Sequence, residues 1–264
     1  MLARITSTIF WFYIGILCIS LFPIAFLIWL ITLPFDRRGW LLHKFTCFWA
    51  NMFTWPNPHW NVTIEHSERA RPRNTPRIIV SNHLSMVDIP AVFRTWLHFK
   101  WVSKSENFKI PFVGWNMRLN RHIELDRGSN KSNAKMMRSC EETLASGSSV
   151  FIFPEGTRSA NGRVSGFKRG AFELAKRTGR PILPIVIEGS EKALPKKGVV
   201  VRGFHRIRMR ILDPIEPESF AEESVQELTD RVRNLIRTEH EAMSAERAGS
   251  PAKSQKGDSP APAS

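Results

Sequence analysis

Hydrophobic and polar residues follow three regimes along this chain. Residues 5–35 carry no charged side chain. As a helix this run measures about 45 Å, more than the roughly 30 Å hydrocarbon core of a bilayer, so it is predicted as a membrane helix that spans with tilt or bends at Pro23. A signal peptide and a buried core helix are the alternatives, but the run is too long for an ordinary signal peptide and no small-residue cleavage pattern precedes Asp36. Residues 40–55 are rich in Trp, Phe, Leu and Met but interrupted by His43 and Lys44. That pattern fits a helix lying among lipid headgroups or a core helix of the next domain. Pro56-Asn57-Pro58 ends it.

From Trp60 onward, short apolar runs alternate with amphipathic stretches. Strands are predicted at residues 60–64, 77–81, 99–103, 122–125, around Val150, and at 182–187 and 207–212. Between them fall a helix reaching Leu97, a helical turn around Pro111, helices at 130–146 and 170–178, and a charged amphipathic helix near 222–247. This alternation predicts an α/β fold, a mixed and mostly parallel sheet covered by helices, with the membrane helix at its N-terminus. From about Gly249 the residues are mainly Ser, Pro, Ala and Lys, with nothing apolar larger than Ala, which predicts a disordered tail. The expected organisation is an anchor over 1–35, an interfacial segment over 36–58, a main domain over 59–247 and a tail over 248–264.

Composition narrows the partners. A net charge of +14 favours nucleic acid, anionic lipid surfaces or phosphorylated substrates. Without zinc-finger spacing, an RNP-like aromatic motif or a basic heptad segment, no nucleic acid partner is expected. Nine Trp and eighteen Phe beside one Tyr fit a protein lying partly in a bilayer. Cys18, Cys47 and Cys140 give neither a disulfide framework nor paired metal-ligand spacing, so no metal is expected and the compartment is read as reducing. Arg37, Arg38 and Lys44 follow the apolar run and only Arg4 precedes it, which places the main domain on the cytoplasmic side.

Candidate chemistry sits in two loops, each after an apolar strand. Ser81-Asn82-His83-Leu84-Ser85-Met86-Val87-Asp88 follows Ile78-Ile79-Val80 and leads into a helix. Residues five apart on a continuous helix are rotated by about 140°, so His83 must precede the helix if it is to meet Asp88. Ser85 with Asp88 also fits a capping box. Taken alone, this stretch reads first as a capped helix after a polar turn. The second loop, Phe153-Pro154-Glu155-Gly156-Thr157-Arg158-Ser159, follows Val150-Phe151-Ile152. Gly156 permits amides to point at an anion, and Arg158 adds a fixed charge between the hydroxyls of Thr157 and Ser159. A base in one loop and an anion site in the other suggest one active site.

Together these residues resemble the 1-acylglycerol-3-phosphate acyltransferases, the lysophosphatidic acid acyltransferase family within the glycerolipid acyltransferases. Asn82-His83 to Asp88 is similar to the first family block and residues 153–159 to the third. Lys104, Ile110-Pro111-Phe112-Val113-Gly114-Trp115 and Ile123-Glu124-Leu125-Asp126-Arg127 resemble the second, and Ile182-Leu183-Pro184-Ile185-Val186-Ile187 the fourth. Glu124 departs from the pattern, standing where the family usually has an aromatic or aliphatic residue.

The resemblance implies transfer of a fatty acyl group from an acyl thioester to the free hydroxyl of lysophosphatidic acid, forming phosphatidic acid at a membrane. No cofactor is implied; acyl-CoA or acyl carrier protein is the co-substrate, and membrane lipids and the lysophospholipid acceptor are the other partners. His83 is then the general base and Asp88 the group that holds its imidazole. Arg158 leads the phosphate ligands, with Lys104 and Arg127 next, and Glu155 either orients the acceptor hydroxyl or fixes the loop. Lys168, Arg169 and the basic run Arg202, Arg206, Arg208 and Arg210 either meet phosphates or form a solvated face. The alternative acceptors are another lysophospholipid or a lyso-amino-acid lipid. A non-catalytic lipid-surface protein would leave His83, Asp88 and Arg158 idle.

Overall fold

The alternating runs assemble into one seven-stranded sheet in the computed structural model, which describes residues 2–55, 60–72, 75–126, 130–194, 200–201 and 203–249. The strands are β1 (Trp60–Glu65), β2 (Ile78–Ser81), β3 (Phe99–Lys104), β4 (Ile123–Leu125), β5 (Ser149–Ile152), β6 (Ile182–Glu188) and β7 (His205–Ile211), in the order β1-β7-β6-β2-β5-β3-β4. β2, β3, β4, β5 and β6 are mutually parallel, β1 is parallel to β7, and β7 is antiparallel to β6. This is the mixed, mostly parallel sheet expected. Every residue of β2 and β6 is buried, as strands covered on both faces must be.

One face of the sheet, with Ile79, Phe99, Phe151, Leu183, Ile185 and Met209, packs against α2 (Trp40–Thr54) and α3 (Asp88–Phe93). The other, with Ile78, Val80, Val150 and Val186, packs against α5 (Asn130–Ala145), α6 (Gly170–Thr178) and α7 (Val225–Gly249). The first of these helices on the site side, α3, is shorter than predicted. It stops at Phe93 because Thr95 Oγ1 donates to Val92 O and accepts from Leu97 N, and Trp96 turns left-handed at φ 54°.

β7 alternates Ile207, Met209 and Ile211 into the core with Arg208 and Arg210 on the opposite face. There Glu65 of β1 and Glu246 of α7 pair with both arginines, and Glu239 pairs with Arg210. The expected basic face is therefore neutralised at Arg208 and Arg210; Arg202 lies outside the described residues.

The uncharged run forms α1 (Leu2–Thr32), about 46 Å long and continuous through Pro23. It lies along the domain. Ser7 Oγ bonds the backbone of Val201, Phe10 packs edge-on against Trp60, Tyr13 donates to Met52 O, and Phe22 packs against Trp115 of α4 (Val113–Leu119) and against Phe112 just before it. Its other face exposes Ile5, Ile9, Phe12, Ile16 and Ile19 at helical spacing, then Ile24, Leu27 and Ile31.

The elbow between α1 and α2 is tied to the sheet by Lys100 Nζ on Arg38 O (2.9 Å) and Arg121 on Arg37 O (2.9 Å). α2 serves as a core helix through Leu42, His43, Cys47 and Trp49, and its outer face carries Leu41 and Phe48, continued seven residues on by Trp55 at its C-cap.

Candidate active site

The carboxyl ends of β2, β5, β3, β4 and β6 share one edge, the edge where ligands bind in sheets of this kind. The β2 loop is ordered by Asp88, whose side chain is fully buried. Its Oδ2 accepts from Leu84 N (2.7 Å), Ser85 N (2.8 Å) and His83 Nδ1 (2.9 Å), and its Oδ1 accepts from Ser190 Oγ. The Ser85 N contact is half of the predicted capping box. The other half is absent, because Ser85 Oγ turns away to donate to Leu194 O. Asn82 anchors the loop from beneath, its side-chain amide exchanging two hydrogen bonds with the backbone of Ile187 on β6.

An ionised carboxylate only accepts, so His83 carries its proton on Nδ1 and leaves the Nε2 lone pair available. Nε2 has no hydrogen-bond partner among the described residues, and the side chain is 12% exposed. The ring stacks on Phe153 with centroids 4.0 Å apart, and Phe153 stacks in turn on Trp101. These contacts continue an aromatic core through Phe151 and Phe99, so the imidazole rests on a rigid support.

The β5 loop is clipped to the β2 loop at two points. Glu155 Oε1 accepts from His83 N (2.9 Å), and Ser159 N donates to His83 O (2.8 Å). Glu155 Oε2 is taken by Ser165 N and Ser165 Oγ. Both oxygens are thus engaged by protein donors. Gly156 is left-handed at φ 70°, and a Cβ there would come within 3.0 Å of Lys168 Cε. The Lys168 side chain therefore lies over this turn, beside the segment that carries Arg158. Ser159 Oγ closes the loop internally on Arg163 O, whereas Thr157 is exposed.

Lys104 ends β3, the neighbour of β5, so its backbone lies about two strand spacings, roughly 10 Å, from β2. Arg127, the remaining predicted phosphate ligand, lies outside the described residues. Glu124 points to solvent and meets Arg118 at 3.5 Å, which is how β4 tolerates an acidic residue there. Ser190 was missed from sequence. Its only signal was a hydroxyl two residues beyond the end of a buried strand that shares the site's edge. No group of three or more His, Cys, Asp or Glu side chains among the described residues is arranged to hold a metal.

Comparison with known proteins agrees with this geometry. An acyltransferase family model matches residues 61–188. A 1-acyl-sn-glycerol-3-phosphate acyltransferase of Chlamydomonas reinhardtii is 35% identical over 196 residues, 74% of this chain and 58% of that protein, so this chain spans a little over half of that relative's length. One from Cocos nucifera is 32% identical over 219 residues, covering 79% of this chain and 67% of the relative. The crystal structure of the LPA acyltransferase PlsC from Thermotoga maritima superposes with a TM-score of 0.73 at 25% identity, covering 92% of this chain and 98% of that one. By sequence and by fold, this chain belongs to the 1-acyl-sn-glycerol-3-phosphate acyltransferase family of acyltransferases.

Proposed function

We propose that the protein transfers a fatty acyl group from an acyl thioester, of coenzyme A or acyl carrier protein, to the free hydroxyl of lysophosphatidic acid, giving phosphatidic acid. The observation that carries this reading is the His83–Asp88 pair, with Nε2 open at the edge where the Arg158 loop also lies. His83 Nε2 takes the acceptor's hydroxyl proton as the oxygen attacks the thioester carbonyl, while Asp88 stabilises the imidazolium. The carbon–sulfur bond then breaks. A thiol has an ordinary pKa near 8.5, so the thiolate departs without strong acid help and no acyl-enzyme is required.

Arg158, with Lys104 and Arg127, holds the acceptor phosphate, and Lys168 adds charge at the Gly156 turn. In this reading Glu155 is a clip between the loops. Purified protein given labelled acyl-CoA and a panel of lyso-lipids should acylate lysophosphatidate, releasing one thiol per acyl group transferred. Transfer only to other headgroups, or to none, would overturn the reading.

The α1–α2 hairpin seats the protein on the cytoplasmic side of the membrane. Because α1 touches the domain from Ser7 to Phe22, a perpendicular crossing would drag β1 and Val201 into the bilayer. α1 therefore lies with its apolar outer stripe sunk into one leaflet. Epitope tags at the two termini should be reached by protease from the same side of sealed vesicles; opposite sides would mean that α1 spans.

A further inference from the structure

At the far end of α3 from His83, a cavity of about 410 Å³ opens between α2, β1 and the turn after α3. Its walls are mainly apolar, formed by Phe48 and Met52 of α2, Trp55 just past its end, Val62 and Ile64 of β1, and Trp96, with the Asn51 amide of α2 among them. Arg94 also lines it. The Arg94 side chain makes no hydrogen bond or ion pair with another described residue. Of the 24 acidic residues only Asp258 lies outside the described set, and among the described residues no carboxylate answers this cation. Burial lowers the Arg94 pKa and no acidic neighbour opposes it.

An arginine at a helix C-terminus is favoured by the dipole. That accounts for a cation at this sequence position but not for an apolar, ligand-sized cavity around it. The rim points the same way. Phe48, Trp55 and Trp96 are exposed, and Trp96 holds the uncommon left-handed backbone that turns its indole outward. α2, which supplies one wall, packs against the apolar α1.

We propose that this cavity binds one anionic phospholipid of the bilayer, its phosphate on Arg94 and an acyl chain along Phe48, Met52, Val62 and Ile64. The site is separate from the acyl-transfer site and fixes how the protein sits on its membrane. It goes beyond the proposed reaction and is tested without turnover, so its failure and the failure of that reaction are distinguishable.

The test is native mass spectrometry of the full-length protein in detergent, titrated with phosphatidylglycerol or phosphatidylcholine. One phosphatidylglycerol should bind at least tenfold more tightly than phosphatidylcholine. Arg94→Gln should erase that preference by about tenfold or more, the usual worth of a charge-assisted bond. Saturating lysophosphatidate should leave the adduct in place, and so should His83→Ala. Asn51→Glu, which offers Arg94 a carboxylate from the cavity wall, should abolish binding as well and decides the matter if Arg94→Gln fails to fold. No anionic preference in the wild type, retention of it in both variants, or displacement by lysophosphatidate would overturn the proposal.

Discussion

Replacing Glu155 separates a clip from a substrate ligand. The residue is 5% exposed, and its carboxylate accepts three hydrogen bonds, from His83 N, Ser165 N and Ser165 Oγ. Ser165 is exposed, so both of its donors can turn to water at little cost. The His83 N–H sits in a partly buried contact between the two loops and loses its acceptor. Hydrogen bonds to a charged acceptor contribute about 1.5–3 kcal/mol each, and a buried donor left alone costs about 1–3 kcal/mol. Glu155→Ala should therefore destabilise by about 2–4 kcal/mol. Glu155→Gln, which keeps one acceptor, should cost about half that. At roughly 2–4 °C per kcal/mol for a domain of this size, the alanine variant melts about 5–15 °C lower. Because the Ser159–His83 clip remains, kcat should fall only about ten- to a hundredfold, the scale of a misplaced base. Thermal unfolding in detergent, followed beside steady-state kinetics, reads both quantities. A Glu155→Gln variant that melts like wild type but loses a thousandfold or more in kcat would refute this, because its carboxylate would then be acting on substrate.

Ser190→Ala leaves Asp88 Oδ1 without its donor and should destabilise by about 1–3 kcal/mol while lowering kcat with little change in the acceptor KM; an unchanged kcat in a destabilised protein would assign Ser190 to structure alone. Lys100 is buried, and burial first, then Arg121, lowers its pKa to about 8, with Asp36 opposing. Between pH 8 and the ordinary value of 10.5 the unfolded chain binds more protons than the folded one, so stability should rise with pH across that window, and below it the cost of the buried charge is present in full. Lys100→Met should therefore stabilise at pH 7, on the order of 1–3 kcal/mol less the lost bond to Arg38 O, and should flatten the rise; a denaturation series from pH 6 to 10.5 checks both.

The strands were legible because Ile78-Ile79-Val80 and Val150-Phe151-Ile152 are apolar at every position, as only doubly covered strands are. The two polar loops were legible because each begins where such a run ends. Strand order was not, since nothing local tells β2 that it will lie between β5 and β6. That order brings Ser190 to Asp88 and Glu155 to His83 across 102 and 72 residues. The arginines of β7 read as a basic face because their acidic partners are strand and helix residues far away, Glu65, Glu239 and Glu246. The length of α1 was clear from its uncharged run. That it lies along the domain rests on single contacts at Ser7, Phe10 and Phe22, which hydropathy does not encode.

His83 is the base on which the proposed acyl transfer depends. With folded, membrane-bound His83→Ala protein saturated in lysophosphatidate and acyl-CoA, single-turnover acyl transfer should slow by about a hundredfold to ten-thousandfold while lysophosphatidate affinity is unchanged. Transfer at the wild-type rate would contradict it and place the base elsewhere.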